Sequence, residues 1–125
     1  MSKNTTTYWN VLSAENASKW EPIEGKDGNL EQLTLAIDEV SGDYTRLTRF
    51  RAGADTEKFG AKSHDYPEEI YIISGRLYGV AFDMWLEAGH FSSRPPGEVH
   101  GPFICEEDCL VLEVSHPSQS VNSTP

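Results

Sequence analysis

Apolar side chains recur at every second position in three stretches of this chain: Leu33, Leu35 and Ile37; then Ile70 and Ile72, interleaved with Tyr71 and Ile73; then Leu110, Leu112 and Val114. A two-residue period is that of a β-strand, whose successive side chains point to opposite faces. No amphipathic helical stripe of comparable strength competes. Turn-forming clusters punctuate the runs at short intervals, at Ser41-Gly42-Asp43, Ala52-Gly53-Ala54-Asp55, Ser74-Gly75, Ala88-Gly89, Pro95-Pro96-Gly97 and Glu106-Glu107-Asp108. Many short strands with regular turns predict an all-β sandwich or barrel. Before residue 30 the pattern is weaker: Ser13 to Lys19 can make one helical turn, and Trp20 to Ile23 can pair at a sheet edge. From Pro117 onward the chain is Ser, Gln, Asn, Thr and Pro with one Val, too little apolar surface to offset the entropy of ordering it. The expected organisation is an N-terminal edge segment over 1–29, a barrel over 30–116 and a disordered tail over 117–125.

At 125 residues, with 38% hydrophobic and 24% charged side chains, the chain describes one domain able to build a core without a disulfide or a structural metal. Ten basic against twenty acidic residues give a formal charge of −10, and no basic run is present. Nucleic acid and anionic membranes are therefore excluded as partners, because both need clustered Lys and Arg. No stretch reaches the roughly 18 apolar residues of a spanning helix. Met1 to Thr5 leads into no apolar signal core, which predicts a cytoplasmic protein. In that setting Cys105 and Cys109 are read as reduced thiols, with a disulfide or a metal clip as alternatives, and the Asn-x-Ser/Thr triplets at Asn4, Asn16 and Asn122 are chance matches.

Two stretches carry candidate chemistry. In Lys62-Ser63-His64-Asp65-Tyr66-Pro67-Glu68 a histidine and a carboxylate flank a Pro-containing bend that can turn both inward. Strand parity places Lys62 with His64, and Glu68 with the interior Ile70 and Ile72. A carboxylate beside isoleucines needs a partner. In Gly89 to His100 a second histidine follows the rigid turn Pro95-Pro96-Gly97 and leads into a strand in which His100, Pro102 and Ile104 face one way.

These stretches resemble the paired motifs of the cupin family. The second cupin motif, G-x5-P-x-G-x2-H-x3-N, is met by Gly89, Pro95, Gly97 and His100, with Ile104 in place of Asn. The first, G-x5-H-x-H-x3-E-x6-G, is met by His64, Glu68 and Gly75, while Lys62 stands where the first histidine belongs and Thr56 where the first glycine belongs. The flanking Thr45 to Ala54 and Gly101-Pro102-Phe103 look like the cupins related to ChrR-type anti-sigma factors, over roughly residues 43 to 115. The resemblance implies a single-domain double-stranded β-helix, or jelly-roll barrel, holding one divalent ion of Fe, Mn, Zn or Ni. Carried over by position, the ligands are His64, Glu68 and His100.

Two imidazoles and one carboxylate form the facial set of non-heme Fe(II) oxygenases, which leaves positions open for substrate and O2. The alternative is a pair of hydrogen-bonded interior histidines in a degenerate cupin. Lys62 has three readings: an ammonium replacing the charge of the metal, a base, or a head group snorkelling to the barrel mouth. The candidate catalytic set is thus Lys62, His64, Glu68 and His100. His90 and His116 match no motif position and are expected at the surface, and Tyr71, Tyr78, Phe82, Trp85, Phe91 and Phe103 are expected mainly in the core. Alternation puts Arg49 and Arg51 on one face, either solvated or holding a substrate carboxylate. The leading functional expectation is a metal-dependent enzyme on a chelating oxygenated small molecule, as an oxygenase or as a lyase or isomerase. A non-catalytic binding or sensing module is the alternative. The N-terminal segment with Tyr8, Trp9 and Trp20 is expected to form the edge of a homodimer.

Overall fold

The computed structural model describes residues 2–23, 29–57 and 60–121. Among the described residues nine strands follow in chain order: β1 (Glu21–Pro22), β2 (Leu30–Ile37), β3 (Tyr44–Phe50), β4 (Glu68–Ser74), β5 (Arg76–Gly79), β6 (Met84–Glu87), β7 (Phe91–Arg94), β8 (Phe103–Ile104) and β9 (Cys109–Ser115). They make two antiparallel sheets, one of six strands in the order β1-β2-β3-β9-β4-β7 and one of three in the order β6-β5-β8. This is the expected all-β jelly-roll. Sequence neighbours are often not sheet neighbours: β9 lies between β3 and β4, so the last strand closes the centre of the large sheet.

The core sits between the sheets. Ile70 and Ile72 point into it beside Leu30, Phe50, Leu77 and Val111, while Tyr71 and Ile73 on the opposite parity are exposed. Burying Ile72 and Val111 contributes about 1.5–3 kcal/mol each. The alternation of Leu110 and Leu112 has a different destination. On β9 it is Cys109 and Val111 that face the main core, and Leu110 and Leu112 join Leu33 and Leu47 in a second cluster on the outer face. Trp9, Val11 and Trp20 cover that cluster. The N-terminal segment is thus the lid of a second small core, with the Arg49 guanidinium 4.0 Å from the Trp20 ring centroid. Its Ala14–Lys19 stretch is a 3-10 helix, β1 pairs β2 at the sheet edge, and Asn4 bonds both backbone groups of Ile37, at 2.9 and 2.7 Å.

In the tail, Pro117–Gln119 form a 3-10 turn. Ser118 donates to Asp43 from backbone and hydroxyl, at 2.8 and 2.6 Å, and Val121 N–H donates to the Asp65 carbonyl. These polar bonds hold the segment without apolar burial. Residues 122–125 of the expected tail and 24–28 of the expected edge segment lie outside the described residues. Among the described residues no helix is long and apolar enough to cross a membrane.

Candidate metal centre

Glu68 opens β4 directly after Pro67, and the sheet register places Arg94 of β7 opposite it on one side and Ser115 of β9 on the other. Both neighbours bond its carboxylate at 2.8 Å, Arg94 Nη1 to Oε1 and Ser115 Oγ to Oε2. All three side chains are buried. This is the partner that a carboxylate among isoleucines requires.

The two histidines come from loops stitched together by backbone. Lys62 and His100 exchange hydrogen bonds of 2.7 and 2.8 Å, and Gly97 N–H donates to the His64 carbonyl at 2.7 Å. Gly97 reaches that position because Pro95 to Glu98 form a tight turn, closed by the Glu98 N–H on the Pro95 carbonyl, with Gly97 at φ 87°. Proline in the centre of such a turn and glycine after it are what a type II geometry favours. The His64 ring stacks on Tyr66 at 4.8 Å and lies 5.0 Å from His100. His64 Nε2 stands 3.9 Å from Glu68 Oε2.

One ligand atom from each of His64, Glu68 and His100 lies within 4.8 Å of the others. Burial, reinforced by the nearby Arg94 charge, lowers the pKa of His100. A neutral imidazole is the form that binds a metal. Its Nδ1 lies 3.3 Å from the Glu98 carbonyl, and a donor bond there leaves Nε2 free as the ligand. Glu68 accepts two hydrogen bonds, but a carboxylate has about four lone-pair sites, so these bonds orient it without exhausting it. The donor set fits a divalent ion.

The triad faces a cavity of about 200 Å³, walled by Leu30, Phe50, Ile70, Leu77, Phe103 and Val111. Arg46 also faces it, held by Glu113 at 2.7 Å and Gln32 at 2.6 Å. Burial works against the Arg46 charge, but Glu113 and the other neighbouring acidic groups outweigh it and raise the pKa. Tyr44, beside Ser115 and Glu68, keeps its proton to higher pH, chiefly through burial.

Lys62 lines the cavity but is exposed, and it makes no ion pair among the described residues. The cation that compensates Glu68 is Arg94, which sits between the motif residues Gly89 and Pro95 but at no motif position itself. The requirement of Glu68 for a partner was the signal that such a group exists; its identity depends on strand register. Arg49 and Arg51 do share a direction, both reaching Glu31, at 3.7 and 2.6 Å, and it is Arg46 that turns inward. Thr56, at the position of the first motif glycine, is buried, and its hydroxyl accepts the Phe103 N–H at 2.8 Å. The run His100, Pro102, Ile104 does not share one face, because Gly101 at φ 73° breaks the extended backbone and Phe103 is the residue that packs inward. Of the six aromatic residues expected mainly in the core, Phe103 alone is buried; Tyr71, Phe82 and Phe91 are exposed. His90 is exposed and His116 pairs with Glu69 at 3.2 Å, both apart from the triad.

The family model of the ChrR cupin-like domain matches residues 10–119. The chain belongs to that family. Among solved structures, this cupin is similar to an RmlC-like cupin from Shewanella frigidimarina, at TM-score 0.70 and 18% identity, covering 94% of this chain and 95% of that one. It is similar also to an acetylacetone dioxygenase from Acinetobacter johnsonii, at TM-score 0.69 and 16% identity over 93% and 78% of the two chains. The anti-sigma factor ChrR complexed with SigE from Rhodobacter sphaeroides matches at TM-score 0.62 and 18% identity, over 83% of this chain and 52% of that one. At these identities the likeness is one of fold. No curated protein sequence matches the chain significantly.

Proposed function

We propose that this cupin is a metal-dependent enzyme of small-molecule chemistry, a non-heme oxygenase acting on an oxygenated substrate that chelates the ion. The observation that carries the reading is the convergence of His64, Glu68 and His100 on an apolar cavity. Bound there, a divalent ion supplies Lewis acidity and, as iron, access to O2 chemistry. The protein's own part is to keep His100 neutral, to fix the Glu68 carboxylate through Arg94 and Ser115, and to exclude water with Phe50, Leu77 and Phe103. The similarity to a dioxygenase supports this class of chemistry, and a lyase or isomerase would use the same ligand set with another ion.

Elemental analysis of protein purified without an affinity tag tests the reading, repeated on His100→Ala. Near-stoichiometric metal that the substitution removes is expected, followed by O2 uptake with catechols or β-diketones. Protein that binds no metal, with unchanged stability in His100→Ala, would overturn it in favour of a second reading. That second reading is a non-catalytic sensing module, favoured by the Arg94–Glu68 pair, which satisfies the carboxylate without an ion, and by the similarity to ChrR. The proposal includes a homodimer paired at the N-terminal edge, where Tyr8 is fully exposed; a monomer at micromolar concentration in light scattering would remove that part.

A further inference from the structure

The charges lining the cavity do not cancel. Arg46 is neutralised by Glu113 and Arg94 by Glu68, each at hydrogen-bonding distance. The two imidazoles contribute no compensating negative charge. Among the described residues Lys62 is therefore left as an uncompensated cation at the wall of the cavity, in a chain whose formal charge is −10. An ion held by the triad would add to this excess, because the one carboxylate in its ligand set already faces a guanidinium. Random placement in so acidic a protein would favour the opposite sign.

A second observation is independent of charge. Thr48, on the inner face of β3, is 2% exposed and lines the cavity, and its hydroxyl has no hydrogen-bond partner among the described residues. Its register partner Val111 is equally buried, so the hydroxyl lies deep rather than at the mouth. A buried hydroxyl without a partner is destabilising, because its desolvation is not repaid. The oxygen itself has essentially no exposed surface, so a ligand atom in the cavity satisfies it once the side chains around it shift.

We infer that the cavity is built for a small carboxylate-bearing molecule, whose negative charge is met by Lys62 and whose second oxygen reaches the Thr48 hydroxyl. This rests on the proposed small-molecule function and narrows its substrate to an anion, such as a keto acid, over a neutral diketone. It also gives the replacement of a motif histidine by Lys62 a purpose: one ligand is exchanged for one selectivity charge.

Acetoacetate and acetylacetone are suitable probes, since they are nearly isosteric and differ in the carboxylate. Their dissociation constants are measured by calorimetry or ligand-observed NMR on the full chain, both metal-free and with redox-inert Zn(II). Acetoacetate is expected to bind about tenfold more tightly, and Lys62→Gln to abolish most of that preference while leaving acetylacetone within twofold. Thr48→Val is expected to weaken acetoacetate several-fold without loss of thermal stability, which a purely structural hydroxyl would not allow. An unchanged preference in Lys62→Gln, or no acetoacetate binding at millimolar concentration, overturns the inference. Failure of the protein to take up Zn(II) instead overturns the metal reading, and the metal-free measurements still decide this one.

Discussion

Arg94 and Glu68 stand directly opposite each other across the β7–β4 ladder, buried and joined by a 2.8 Å hydrogen bond. Removing two charges from water is costly, and a buried pair is maintained only with good geometry and further hydrogen bonds. Ser115 supplies one such bond from the other side of Glu68, while Arg94 Nε has no partner among the described residues. The carboxylate is thus better provided for than the guanidinium.

Arg94→Met leaves the Glu68 charge buried without its counter-ion, a loss of about 3–5 kcal/mol. Urea denaturation of the metal-free protein is expected to show a drop of that size. Added Zn(II) is expected to restore part of it, because the ion takes over the compensation of Glu68. A loss under about 1 kcal/mol would show that the pair is not desolvated.

Ser115→Ala removes the bond that orients Glu68 Oε2. Stability is expected to fall by about 1 kcal/mol. Metal affinity is expected to fall by about 10–100-fold, the usual effect of losing a group that positions a ligand. Competition with a chromophoric chelator measures it, and affinity within twofold of the parent would remove Ser115 from the site.

The parts of this site legible in the sequence are those fixed by local spacing. His64, Glu68 and His100 fall at motif positions, and the Pro95-Pro96-Gly97 turn announces its own geometry. Arg94 and Ser115 were illegible because cross-strand register decides them, and β9 returns between β3 and β4 after a long path along the chain. The same insertion explains Leu110 and Leu112. Their period correctly indicates a strand, but β9 is covered on both faces, and only the packing of Trp9 and Trp20 tells which face belongs to which core.

Gly75 shows that a motif residue can be purely architectural. It joins β4 to β5 at φ 74°, and a Cβ there would lie 2.2 Å from the Asp108 carbonyl oxygen and 2.9 Å from Cys109 Cα. Both obstacles are backbone, so neither can swing aside. Gly75→Ala is expected to destabilise the fold by at least about 2 kcal/mol, from strained φ together with the clash. Thermal unfolding checks it against Gly53→Ala, which has φ 84° but, its chain neighbours aside, no described atom within 4 Å of the added Cβ and therefore bears the conformational cost alone.

Cys109 behind this turn is fully buried, and burial, with Cys105 close by, pushes its thiol pKa up to about 12. Burial likewise raises Cys105, whose Sγ lies 3.1 Å from the Arg51 carbonyl. At pH 8 the Cys109 thiolate fraction is about one in ten thousand, so alkylation of the folded protein is expected to be slow and to become complete in denaturant. The unfolded chain releases its thiol protons near the ordinary value of 9.0 while the folded chain retains them. The folded state then binds more protons, so this contribution to stability is fully present below pH 9 and is lost as pH rises from 9 toward 12. Denaturation curves at pH 8 and pH 10.5 are expected to show a decline that flattens in Cys109→Ala. An equal decline in that variant would assign the alkaline sensitivity to other groups, such as Tyr44, whose buried phenol shifts in the same direction.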